Sequence, residues 1–390
     1  QDGPFDLIVD SQGGDDLPAR VNALFALLRY QGLYIAEHVE SCALQSKDPN
    51  TPGAHGSQSC AGWWRHLVGM LNRPVGAGRT TTAQCEKTRG CDLQIESLHV
   101  WKGVVALRKG SVHPYWDQKL SLWFPPHPSA KAGLREHRPF QAADHRDDGC
   151  WRHRRQFLRL CEQRYADKGV LHGYWRGYGV LLERFRRVRG FRLAEFGLAL
   201  GNSLRVWADY FGDDAVFHTN DVVSNHFDVI MKTLSSRAQR RVYMHSVEMN
   251  PGNMAWAHVD YDWNATTRGI ASMRDEVERA GGFHVVVDDA GHSALQNFMF
   301  FHELVGTVLP GGYYICEDLA AGGFRKLAPH NLARPGLPQA IRRTRSPIDM
   351  FVAVTQTIAG GKTISACDGC EAGLVSAHWW LESVFFERGL

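Results

Sequence analysis

FRLAEFGLALGNSLRVWADY, residues 191 to 210, decides the fold. Phe191 to Phe196 is a short apolar-rich segment that reads as a strand, Gly197 turns it, and Asn202 to Tyr210 reads as a helix. Working outward, Ala215 to Asn220 is a second strand ending at Asp221, and Arg241 to His245 a third. Phe283 to Val287 is an apolar, β-branched run bounded by Gly282 and Asp288, the pattern of a buried strand. Ser293 to Leu309 has helical apolar spacing until Pro310-Gly311-Gly312 breaks it, and Tyr313 to Cys316 is the next strand. Strands alternating with helices predict an α/β fold built on a Rossmann-like, doubly wound sheet. Ligands of such sheets sit beyond the carboxyl ends of the strands, so the residues just after each strand are expected to carry the chemistry.

The chain has 390 residues and is 44% hydrophobic, enough for a large core and more than one ordinary domain. Lysine plus arginine is 44 against 41 acidic residues, a net charge of +3 that gives no support for nucleic acid as the main partner. No run of 18 apolar residues marks a membrane span. The first residue is Gln1 and no signal-peptide pattern follows it, so a processed product or a fragment is expected, and the compartment, cytoplasm or secretory lumen, stays open. Nine cysteines are too few for a disulfide scaffold at this length, and their odd number leaves at least one unpaired within the chain.

The sequence repeats itself. FDLIVDSQGG from Phe5 matches FHVVVDDAGH from Phe283, pairing Asp10 with Asp288 at an offset of 278. GLYIAEHV from Gly32 matches GYYICEDL from Gly312, pairing Tyr34 with Tyr314 and Glu37 with Glu317 at 280. SLHVWKGVVALRKG from Ser97 matches SAHWWLESVFFERG from Ser376, pairing His99 with His378 and Trp101 with Trp380 at 279. Three blocks in one order at nearly constant spacing point to an internal repeat. Residues 1–110 are therefore expected to be the back half of a second copy of the domain in 151–390, with 111–150, rich in proline, as the linker. The basic run Arg152 to Arg155 opens an amphipathic helix and reads as a solvated face before it reads as a nucleic-acid patch.

Glu195, Gly197, Gly201 and Ser203 surround a strand-to-helix turn, where glycines let backbone amides approach a ligand. Asp221 ends the next strand, the place from which a carboxylate commonly binds a ribose diol. A plain turn without a nucleotide is the bland alternative. Here the string EFGLALGNSLRVWADYF, Glu195 to Phe211, resembles motif I of the class I S-adenosylmethionine-dependent sugar O-methyltransferases that act on macrolide deoxysugars such as mycinamicin, a motif shared by cephalosporin hydroxylase-like proteins. Asp167-Lys168-Gly169 with His172-Gly173-Tyr174, Asp288-Asp289-Ala290-Gly291-His292, and Glu317-Asp318 resemble three further motifs of that family in the same order, over about residues 160–390. The resemblance implies that Glu195, Gly197, Gly201, Ser203, Asp221 and Asp288 hold S-adenosylmethionine. Glu248 in HSVEMN stands for the family's acid after the third strand, and Ala290-Gly291 departs from the usual Gly-Ser.

Asp288 and Asp289 follow one strand and Glu317 and Asp318 the neighbouring one, so carboxylates from two strand ends converge, as a hard cation such as Mg2+ requires. By resemblance Asp289, Glu317 and Asp318 are the metal ligands and His292 the base. A sugar hydroxyl titrates far above histidine's ordinary 6.5, and a cation that lowers it lets His292 take the proton as the oxygen attacks the methyl group. The same carboxylates have a plainer reading as turn and helix-cap residues. The first copy keeps Asp10 and Glu37 but has Ser11, Gly14 and His38 where the second has Asp289, His292 and Asp318, so it is expected to be inactive.

Cys367-Asp-Gly-Cys370, with Cys85 and Cys91 at the matching place, is open between a disulfide, free thiols and a zinc site. A disulfide would imply an oxidising compartment, where Asn264-Ala-Thr266 is a glycan acceptor motif. The expected function is metal-assisted O-methylation of a carbohydrate or glycoside acceptor, with oligomeric state open. The rivals are a non-catalytic scaffold on the same fold and a cephalosporin hydroxylase-like enzyme.

Overall fold

The computed structural model describes residues 5–40, 95–109, 149–221, 225–246, 278–319, 346–360 and 373–389, apart from a few positions inside these spans, together with isolated positions in 64–71 and 271–275. The expectations placed on Gly14, Cys85, Cys91, residues 111–148, Glu248, Asn264, Cys367 and Cys370, and on the side chains of Arg152 to Arg155 and Asp221, lie outside the described residues.

The N-terminal segment contributes β1 (Phe5–Asp10), α1 (Leu17–Phe25), β2 (Leu28–Glu37), β3 (Ile95–Trp101) and β4 (Val104–Lys109). Next come α2 (Gly149–Arg164), α3 (Trp175–Leu181), β5 (Arg192–Phe196), α4 (Asn202–Tyr210), β6 (Val216–Asp221), α5 (Asn225–Thr233), α6 (Ser236–Gln239) and β7 (Val242–Ser246). The last part holds β8 (Phe283–Asp288), α7 (Ala294–Leu304), β9 (Val308–Cys316), α8 (Pro347–Ala359), β10 (Leu374–Trp380) and β11 (Ser383–Arg388).

The eleven strands among the described residues form one sheet in the order β1-β2-β4-β3-β10-β11-β9-β8-β5-β6-β7. The run β9-β8-β5-β6-β7 is parallel, as strand–helix alternation requires, and so is β1-β2. From β2 through to β9 every pairing is antiparallel, so the sheet is mixed rather than parallel throughout. Residues 5–109 do not build a separate sheet: β3 pairs directly with β10. The path β1-β2-β4-β3 has the same succession of parallel and antiparallel pairings as β8-β9-β11-β10.

Strand alternation sends neighbouring side chains to opposite faces. One face carries Leu193, Val285, Val287 and Ile315 against α2, α3 and α4 through Phe157, Tyr178 and Trp207. The other carries Phe196, Val286, Tyr314 and Phe386 against α7 and α8 through Phe298, Phe301 and Phe351. This second core continues under the N-terminal strands, where α1, Trp64 and Leu67 cover Tyr34, Leu98 and Val100. On the opposite face of that end Leu7 and Val9 of the edge strand β1 remain about half exposed, at 51% and 54%.

One expected boundary is corrected. Pro310-Gly311-Gly312 does not separate helix from strand, because β9 already begins at Val308 and the triplet lies inside it. The pairing of β8 with β9 jumps from Phe283↔Val308 to Val285↔Tyr313, so the triplet is the irregular stretch of the strand. A side chain at Gly312 would come within 2.4 Å of the His284 carbonyl oxygen, which is why glycine stands there. The helix correspondingly ends at Leu304, followed by a 3-10 turn from Val305 to Thr307.

Candidate active site

The carboxyl ends of β5, β8 and β9 lie side by side and are stitched by backbone hydrogen bonds. Asp289 N donates to Phe196 O at 2.9 Å and Glu317 N to Asp288 O at 3.0 Å. Gly197, at φ +89°, lets the β5 turn pass so close that a Cβ would sit 1.9 Å from Asp289 O. Along the turn φ is positive at Gly197, Ala199 and Gly201 and negative between them, giving a concave backbone that leads into the N-terminus of α4. Such a turn at a helix start is suited to a polar ligand.

Glu195 is buried beneath this turn. Its Oε2 accepts from Ser203 Oγ at 2.8 Å and from Trp207 Nε1 at 2.9 Å, while Oε1 lies 3.2 Å from Lys168 Nζ. Glu195 and Ser203 thus brace the turn from behind. Asp288 does not join them. Its side chain lies on the other face of the sheet, where Oδ2 accepts from Tyr314 OH at 3.1 Å and from Asn297 Nδ2 at 3.2 Å. Strand alternation turns Asp288, expected from sequence to hold the cofactor, into the α7 layer, away from Glu195 and Ser203. In β1 the matching Asp10 makes the matching bond, accepting from Tyr34 OH at 2.5 Å.

Lys168 is the group that sequence reasoning left without a role. It is fully buried, and its ammonium touches three carboxylates: Glu317 Oε2 at 2.6 Å, Asp289 Oδ2 at 2.7 Å and Glu195 Oε1 at 3.2 Å. Burial alone would lower its pKa, but Asp289, Glu317 and Glu195 outweigh that and hold it above the ordinary lysine value. Glu317 also accepts from Tyr178 OH, so each of its oxygens already has a protein partner. Burial pushes the Glu317 carboxyl up to about 7 in spite of Lys168. Burial likewise pushes Asp289 well above the usual carboxylate range.

Asp318 has a different environment. It faces His172 Nδ1 with Oδ1 at 3.3 Å and His292 Nε2 with Oδ2 at 3.3 Å, and Oδ1 accepts from Tyr174 OH at 2.6 Å. Burial opposes its ionisation, but the two imidazoles and the phenol keep its pKa below the ordinary value. Both Asp318 (φ +51°) and His292 (φ +52°) hold left-handed backbone, a strain of about 1–3 kcal/mol each stored at one spot. His38, which matches Asp318 in the first segment, holds φ +57°.

Asp289, His292 and Asp318 each offer one ligand atom, all within 4.8 Å of one another, and His172, Asp318 and Glu382 form a second such group. Of the metal ligands expected from sequence, Asp289 and Asp318 come together with His292, whereas Glu317 is turned to Lys168 and Tyr178. The residues fit a divalent cation on charge. Three carboxylates, Glu195, Asp289 and Glu317, share the single ammonium of Lys168, and the half-buried Asp318 adds a fourth acid beside them, a crowding of acidic groups that a cation would offset. His172 and Glu382 were not singled out as site residues by sequence reasoning. His172 lay in a quoted motif, and Glu382 carried no local signal.

No protein-family model matches the chain, and no curated protein sequence matches it. Among solved structures it is similar to the MycE methyltransferase of the mycinamycin biosynthetic pathway in complex with Mg, SAH and mycinamycin VI, at 18% identity over 60% of this chain and 54% of that one, with a TM-score of 0.40. It is also similar to the O-methyltransferase TomG of Streptomyces achromogenes in complex with SAM, at 12% identity over 63% and 91% of the two chains, TM-score 0.34. Aeropyrum pernix fibrillarin with bound S-adenosyl-L-methionine follows at 13% identity over 51% and 66%, TM-score 0.28. The chain spans about half the length of the MycE chain.

Among the described residues no helix is long and apolar enough to cross a membrane. Cys161 and Cys316 are free, buried thiols.

Proposed function

We propose that residues 151–390 form an S-adenosylmethionine-dependent O-methyltransferase that uses a divalent cation to methylate a hydroxyl of a carbohydrate or glycoside. The observation that carries the reading is the meeting of Asp289, His292 and Asp318 beside the Gly197 turn. The turn from Gly197 to Gly201 receives the cofactor, Glu195 and Ser203 hold that turn in shape, and Asp221, the last residue of β6, is assigned the ribose. Asp289 and Asp318 hold the cation, with Glu317 beside them under the control of Lys168.

When bound, S-adenosylmethionine supplies an electrophilic methyl group and the cation makes a neighbouring hydroxyl more acidic. The chain's own part is proton handling and orientation. His292 Nε2 faces Asp318 Oδ2, so the ionised carboxylate stabilises the imidazolium formed when His292 takes the hydroxyl proton. His292 would keep that proton until solvent removes it, while the methyl group would leave the cofactor's sulfur for the acceptor oxygen. Residues 1–110 are a degenerate copy without this chemistry: Ser11 and His38 stand where Asp289 and Asp318 would be, and Asp10 is engaged by Arg20 and Tyr34.

Transfer of labelled methyl from S-adenosylmethionine to a panel of free and linked sugars, with Mg2+ and with chelator, tests the reading. Mg2+-dependent labelling that His292→Ala slows by about 10²–10⁴-fold is expected. Equal labelling by His292→Ala refutes the role of the histidine.

A further inference from the structure

The contact between the two segments of the chain is built around one residue pair. β3 and β10 run antiparallel with His99 opposite His378, Ser97 opposite Trp380 and Trp101 opposite Ser376. Because Ser97, His99 and Trp101 match Ser376, His378 and Trp380 along the sequence, this register is its own mirror image about the histidine pair, as at a two-fold axis between identical subunits. The rings obey the same symmetry. His99 meets Trp380 edge-on at 4.6 Å, and His378 meets Trp101 edge-on at 5.4 Å.

At the centre the two Nδ1 atoms lie 3.0 Å apart, and each Nε2 lies 2.9 Å from the serine two residues earlier in its strand. The proton positions follow from one asymmetry. Ser376 pairs in register with Glu387 of β11, whereas Ser97 pairs with Arg108 of β4. Glu387 accepts from Ser376 Oγ at 2.7 Å and from Arg184 at 2.8 Å. Burial would raise its pKa, but the nearby His378 ring, 3.9 Å away, and hydrogen bonds from Ser376 and Arg184 hold it at about 2, so it only accepts. Ser376 therefore spends its one proton on Glu387 and must accept from His378 Nε2. His378 Nδ1 is then bare, His99 Nδ1 must donate to it, and His99 Nε2 accepts from Ser97. The groups around the pair are Tyr313 of β9, 6.2 Å from the His378 ring, Arg184 after α3, Glu387 of β11, and Arg108 of β4, which lies 3.6 Å from Glu96, itself 3.5 Å from Arg176 of α3.

We propose that Ser97, His99, His378, Ser376 and Glu387 form a one-way hydrogen-bond clasp that fastens the N-terminal strands to the site-bearing half of the sheet, and that acid opens it. A proton added at His378 Nδ1 would set two N–H groups against each other at 3.0 Å. His378 is only 3% exposed, and burial keeps its pKa below the ordinary histidine value, so the folded protein resists the proton that the unfolded chain accepts below 6.5. The clasp's contribution is therefore complete above 6.5 and declines as pH falls below it. The hairpin that it anchors carries Glu382 at its turn, beside Asp318. The inference stands independently of the methyltransferase reading.

Two readouts on the full chain test it. Histidine 15N spectra at pH 7.5 are expected to show opposite tautomers, Nδ1–H at His99 and Nε2–H at His378; the same tautomer at both overturns the clasp. Denaturant unfolding across pH 7.5 to 5.5 is expected to show, in the parent protein relative to His378→Asn, an unfolding constant that climbs about tenfold per pH unit below 6.5, one proton taken up. His378→Asn, whose amide oxygen can accept from His99 without titrating, should lower that uptake by one proton. An unchanged pH slope in His378→Asn overturns the proposal, and the spectra decide the matter where the variant fails to fold.

Discussion

Lys168 Nζ lies 2.6 Å from Glu317 Oε2, and solvent reaches almost nothing of either side chain. The ammonium is the one protein cation that touches Glu195, Asp289 and Glu317 among the described residues. Removing it strands buried carboxylates rather than deleting a single bond. Lys168→Met is expected to destabilise the fold by about 3–5 kcal/mol, measured by denaturant unfolding at neutral pH without added metal. A change of less than about 1 kcal/mol would show that the carboxylates are satisfied by other means.

The Glu317 carboxyl gives a pH signature. Its folded pKa of about 7 lies above its ordinary 4.5, so the unfolded chain ionises first as pH rises. Its contribution to stability is present below 4.5 and is lost as pH climbs to about 7. Subtracting the pH profile of Glu317→Gln from that of the parent protein isolates the effect and cancels the opposite trend of His378. The difference should fall across that window without metal, and a flat difference would contradict the placement of Glu317.

Two glycines with left-handed backbone make a matched pair. A Cβ at Gly197 would lie 1.9 Å from Asp289 O, whereas a Cβ at Gly190 would meet nothing within 4 Å. Gly190→Ala should cost about 1 kcal/mol from backbone strain alone. Gly197→Ala should cost about 3 kcal/mol or more and abolish S-adenosylmethionine binding, since the β5 and β8 tips must part. Thermal unfolding and cofactor calorimetry on both variants check this, and equal behaviour of the two would contradict the close approach.

His292→Ala should slow methyl transfer by about 10²–10⁴-fold while leaving cofactor affinity within a few-fold, because the ring faces Asp318 and Asp289 rather than the Gly197 turn. Single-turnover kinetics with labelled cofactor measure the rate, and calorimetry the affinity.

Much of this site was legible in the sequence, since strand ends followed by Gly197, Asp289, His292 and Asp318 announce themselves locally. What was not legible depends on direction and distance. Asp288 sits in phase with Val286, and only the packed helices show that this face is the α7 side. Lys168 stands 121 residues from Asp289, and nothing near it in sequence signals a buried ammonium with three acidic partners. The β3–β10 junction was hidden because either strand alone reads as an ordinary edge. The bulge in β9 was misread because Pro310-Gly311-Gly312 has the composition of a helix stop, whereas close packing on the His284 carbonyl is what selects Gly312.

The most direct test of the central claim is calorimetric titration of S-adenosylmethionine, and separately of Mg2+, into the parent protein and into Asp289→Asn. The account predicts that both proteins bind the cofactor and that the variant binds Mg2+ at least tenfold more weakly. No cofactor binding by the parent, or undiminished Mg2+ binding by the variant, would contradict it.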